Sequence, residues 1–123
     1  MDNRKPVVSN AANTEQLSEA EQVIKLARDN ELNDIRSILM NKEGRRVFWR
    51  LLGHCNNFKS CFDPSGSRVY YNVGKQDVGH FIMAEILEAN QDAYFLMMTE
   101  ARKAQAEQDA RELAASEKEQ ENQ

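Results

Sequence analysis

Apolar residues recur three or four apart along most of the chain, the spacing of one face of a helix. Leu17, Ala20, Ile24 and Ala27 mark a first stripe, which Leu32, Ile35, Ile38 and Leu39 continue. Thr14 or Ser18 is placed to cap its start, and Asn30 can cap a renewed helix. Val47, Phe48, Leu51, Leu52 and Cys55 form a second stripe within "KEGRRVFWRLLGHC". Val78, Ile82, Ile86 and Ala89, widened by Met83 and Leu87, form a third, with Asn72 available as its cap. Tyr94, Met97, Met98 and Ala101 begin a fourth after Asn90, a further cap candidate. The pattern predicts an all-α domain of about four helices, with the amphipathic faces packed in a core.

Two stretches lack that period. The insert "NNFKSCFDPSGSRVYYN" carries a turn signal at Asp63-Pro64-Ser65-Gly66. It reads as a loop pinned to the helices by its rings; a short hairpin is the alternative, marginal with only two arms. From residue 99 onward the chain is rich in Ala, Glu, Gln, Lys and Arg, with Leu113 its one large aliphatic. That composition favours helix but offers no apolar seam. The expected organisation is a flexible arm over 1–13, a helical core over 14–98 and a charged helical or disordered tail over 99–123. So small a core is expected to gain stability from a partner.

Charge alters this picture. The net −4 divides into −2 over residues 1–41, +4 over 42–80 and −6 over 81–123. On a helical wheel Lys42, Arg46 and Arg50 stack four apart, opposite Leu51 and Leu52. Trp49 falls between Arg45 and Arg46, at the border of the apolar stripe. Either another element of this chain covers that ring, the preferred reading, or it anchors an interface beside the arginines, residue types enriched at hot spots. Arg45, Arg46, Trp49 and Arg50 are therefore the candidate partner-binding set. Lys42, Lys59, Arg68 and Lys75 are candidate contacts to nucleic acid, with the insert's rings as a stacking platform. A strongly basic domain, the usual mark of a nucleic-acid binder, is missing.

Candidate chemistry is sparse. His54, Cys55, Cys61 and His80 lack the paired spacing of zinc modules. A Cys–His pair has no evident orienting third group. "VGKQDVG" lacks the first glycine and the Ser or Thr of a phosphate loop. No enzyme activity, metal or cofactor is expected. The two cysteines read as free thiols of a reducing compartment. "MDNRKPVV" has no apolar core of a signal peptide, and the apolar runs "FIMA" and "AYFLMM" are too short to span a bilayer, so no membrane anchor is expected.

The run from "EGRRVFWRLLGHCNNFKSCF" to "YYNVGKQDVGHFIMAEILEANQDAYFLMM" resembles a family of small proteins of tailed bacteriophages, chiefly the short-tailed, podovirus type. Gly44, Arg45, Arg46, Trp49, Leu51, Leu52, Phe58, Phe62, Gly74, Lys75, Val78, Gly79, Tyr94 and Met97 carry the resemblance, which spans residues 30–98. Val73 and Gln76 depart from it, standing where family members often place a glutamate and an arginine. The resemblance implies a structural or internal virion protein, encoded near head and portal genes. It would be bound in several copies to portal, tail or internal-core proteins, and found in the virion and, during assembly, the host cytoplasm. Contact with packaged DNA is compatible with that role. The alternative is a small nucleic-acid-binding or host-directed regulatory phage protein that uses the basic central segment.

Overall fold

The computed structural model describes the backbone of residues 4–123 and the side chains from residue 18 onward. Four helices follow one another: α1 (Arg4–Leu39), α2 (Lys42–His54), α3 (Gly66–Ala89) and α4 (Gln91–Glu121). The described residues contain no strand, so the hairpin alternative is excluded for the insert. The fold is all-α, as the apolar periodicity predicts.

α1 runs through Asn30 without a break. Its only proline, Pro6, lies in the first turn, where a missing N–H is tolerated, and no glycine follows. The surrounding Glu, Gln, Ala, Leu, Lys and Arg favour continuation over a new start. Ser18 therefore lies inside the helix and does not cap it. The side chains of the expected arm over 1–13, and of Thr14 and Leu17, lie outside the described residues, while the backbone from Arg4 on belongs to α1.

The chain divides into two compact units, residues 1–34 and 35–123. In the first, Leu32 is buried, but the described part of the expected core-facing stripe before it is not covered. Ala20, Ile24 and Ala27 are exposed, as are Val23 at 70 % and Leu26.

In the second unit α2, α3 and α4 pack pairwise, and the last turns of α1 join them. The core is formed by Leu39, Leu52, Ile86, Ala93 and Met97, with Ile35, Phe48, Trp49, Ile82, Met83 and Tyr94 packed around it. The α2 stripe is narrower than the wheel implies: Leu52 and Cys55 are buried, whereas Val47 and Leu51 are exposed. On α3, Gly79, Ile82, Ile86 and Ala89 face inward, while Val78 lies outward. The glycine sets this register. A Cβ at Gly79 would run into the Asn57 side chain and lie 2.6 Å from Cys55 Cβ, so only glycine lets α3 approach the end of α2 so closely. Gly44 plays the same part at the α1–α2 corner, where a Cβ would meet the backbone and side chain of Ile38.

α3 begins earlier than expected. Asp63 Oδ1 accepts a hydrogen bond from Ser65 N–H at 2.8 Å, an Asx turn that leads directly into the helix. Val69, Tyr70 and Tyr71 are thus helical, and Asn72 is an interior residue rather than a cap. At the next corner Asn90 does cap α4: its side-chain oxygen accepts from Ala93 N–H at 3.2 Å.

Candidate functional site

The site of interest begins with the spacing of α2. Four-residue steps place Lys42, Arg46 and Arg50 one above another along about 12 Å of helix. Arg46 and Arg50 are exposed. Opposite them, α4 presents Met97, Ala101, Lys103 and Ala104. Small side chains at 101 and 104 leave space between the two helices, and an open groove of about 660 Å³ results. Trp49 and Met97 lie in its apolar part, and Lys42, Arg46, Arg50 and Lys103 surround it together with the carboxylates of Glu100 and Glu107.

Arg45 also reaches this groove, yet its charge is occupied within the chain. Its Nε donates to Glu100 Oε1 at 2.7 Å and its Nη2 to Glu100 Oε2 at 3.1 Å. Its Nη1 donates to the Leu39 carbonyl at 2.8 Å. A planar guanidinium can serve all three acceptors at once, which a lysine cannot. The pair is largely shielded, with side-chain exposures of 13 % and 20 %. Hydrogen bonding to Arg45 holds the Glu100 carboxyl below the usual carboxylate range, against the opposing effect of burial. The same bond raises Arg45 above its ordinary value.

Trp49 is half-buried by its own chain. Phe58 of the insert stacks on it at 5.0 Å and 26°, and Tyr94 of α4 lies 6.4 Å away, tilted by 46°. The boundary position expected from the wheel is what the structure has, and the cover comes from the insert and α4. Its remaining edge lines the groove.

Of the other candidate cations, Lys42 lines the groove and Lys59, Arg68 and Lys75 do not. Lys75 Nζ lies 5.3 Å above the Tyr71 ring. Lys59 and Arg68 are exposed, as are Phe62, Tyr70 and Tyr71. The insert is pinned to α2 by one ring, Phe58 on Trp49, and to α3 by polar bonds. Gln76 Nε2 donates to the carbonyls of Asn56 (2.9 Å) and Lys59 (3.1 Å), and Asn72 Nδ2 to that of Cys61 (3.4 Å). Gln76 is therefore the staple of this loop. Asn56 turns the chain out of α2 with φ 61°, a left-handed conformation that asparagine tolerates.

Cys55 is buried and Cys61 half-buried, both free thiols, while His54 and His80 are exposed. Among the described residues no group of three His, Cys, Asp or Glu is arranged to hold a metal ion. No helix among them is long and apolar enough to cross a membrane.

The partners that occupy Arg45 and Trp49 escape sequence reasoning. Glu100 is one acid among ten beyond residue 80, and nothing local marks it as the one that α2 meets. Its position one turn beyond Met97, at the end of the apolar stripe, is the only available signal.

These features define a small all-α protein with a cationic groove between its second and fourth helices. Residues 35–100 match the family described as Bbp19-like phage protein, more than half of the chain. The chain belongs to that family and is a bacteriophage protein. No curated protein and no solved structure matches it.

Proposed function

We propose that the protein is a structural or internal component of the particle of a tailed, podovirus-type phage, encoded near head and portal genes. It is held there in several copies at the head–portal–tail or ejection apparatus. The observation that carries this reading is the exposed apolar surface of a small phage protein. α3 is apolar on both sides: Gly79, Ile82 and Ile86 face the core, while Tyr70, Val78 and Phe81 lie outward, Tyr70 at 82 % exposure. Phe62 in the insert is 80 % exposed, and Val23, Ile24 and Leu26 extend the pattern to α1. Surface of this kind usually meets another protein. A particle component has such neighbours in fixed copy number.

Mass spectrometry of purified particles tests the assignment. The protein is expected at a constant stoichiometry relative to the portal protein after density-gradient purification. Its presence in infected cells but not in particles would overturn the reading.

A further inference from the structure

The groove between α2 and α4 carries more basic side chains than the Glu100 and Glu107 that also line it, and the far end of α4 is acidic. On the groove side Lys42, Arg46 and Arg50 ascend α2, with Lys103 across from them. Arg46 keeps 61 % of its side chain exposed, and its ion pair among the described residues is with the exposed Glu43, at 3.8 Å. On the tail side every residue from 102 to 123 is exposed. Gln105, Asp109, Glu112, Ser116 and Glu119 follow one another at steps of four, three, four and three, and so share one face of α4. Among the described residues Asp109 and Glu112 accept side-chain amide hydrogens from Gln105 and Gln108, at 2.8 and 3.0 Å, rather than meeting a base.

We infer that the groove receives the acidic face Asp109–Glu112–Glu119 of a second copy, and that two molecules exchange their α4 ends in this way. Charge complementarity and matching length carry the assignment. The three bases of α2 extend over about 12 Å, and Asp109 to Glu119 over about 15 Å. The tail cannot fold onto its own α2. α4 is one continuous helix through Glu121, and Glu107 is the last of its residues to line the groove, so residues 109–119 lie about 3–18 Å farther along the helix. The occupant therefore comes from another molecule. A reciprocal exchange is self-complementary, as a two-fold interface requires. Trp49 supplies the apolar floor beneath the ion pairs. This deepens the multi-copy reading above and rests on it for the identity of the partner.

A charge exchange between full-length variants tests the inference, by sedimentation at low salt and in 0.5 M salt. Wild-type protein is expected to associate at low salt and to dissociate as salt screens the contact. The groove variant Lys42→Glu/Arg46→Glu/Arg50→Glu and the tail variant Asp109→Lys/Glu112→Lys/Glu119→Lys should each self-associate roughly tenfold or more weakly, with unchanged helical content. Mixed one to one, they should form a heterodimer, since both groove–tail contacts then pair opposite charges. A wild type that stays monomeric would overturn the inference. So would association indifferent to both charge reversals, or a mixture that fails to associate. Duplex DNA that binds wild type and competes with self-association would assign the groove to phosphate instead. Any of these outcomes leaves the particle assignment standing if the protein is still found in virions.

Discussion

Arg45 and Arg46 are adjacent in sequence and opposite in role. The guanidinium of Arg45 turns inward, ties α2 to Glu100 of α4 and closes the Leu39 carbonyl at the end of α1. That of Arg46 stays in solvent. Glu100→Gln keeps one acceptor but removes the charge, and is expected to cost about 1–2 kcal/mol at neutral pH. The sign of the pH dependence follows from the depressed Glu100 pKa. Its contribution is complete above the unfolded value of about 4.3 and disappears as pH falls through the lower folded value. Thermal melts of wild type and Glu100→Gln should thus differ at neutral pH and converge at strongly acid pH. A constant difference across the range would show that the ion pair is not its source.

Among elements, the second helix pair shows where sequence reasoning succeeds. The α2 wheel separates Leu52 and Cys55 from Arg46 and Arg50, because a local period of 3.6 determines which residues can share a face. α3 shows where it stops. Val69, Tyr70 and Tyr71 suit a strand as well as a helix; in the structure they are helical, and Asn72 and Gln76 just after them bond to the insert. Those bonds join residues 11 to 20 positions apart, beyond the reach of any local pattern. Gln76→Ala should leave the core intact while loosening the insert. Amide exchange at Asn57 and Lys59 is expected to quicken roughly fivefold, about 1 kcal/mol, with little change at Leu52 or Ile86. Uniform acceleration across the domain would instead make Gln76 part of the global fold.

For the whole molecule, the buried side chains of residues 35–123 end at Met97, and the last 22 residues bury nothing. Removal of residues 108–123 should lower the helical signal in proportion to the residues lost. The stability of the remaining domain should move by no more than about 0.5 kcal/mol in thermal unfolding of the dilute, unassociated protein. A larger loss would mean that the tail contributes to the fold of the domain that carries it. The exposed apolar side chains of α1, α3 and the insert are the surface on which the proposed role in the particle rests.

The sequence by itself determined the all-α class, the rough position of each helix, the capping role of Asn90, the cationic outer line of α2 and the family resemblance. All of these depend on residues within a turn or two of one another, or on identity alone. Tertiary structure decided which faces are covered. It left Ile24 and Val78 in solvent, placed Gly79 against Asn57, and chose Glu100 for Arg45 and Phe58 for Trp49. Such choices depend on which helices approach each other, and one residue of shift along α3 or α4 would change them. The tryptophan among the arginines is accordingly a shared residue, stacked on its own chain on one side and open to the groove on the other.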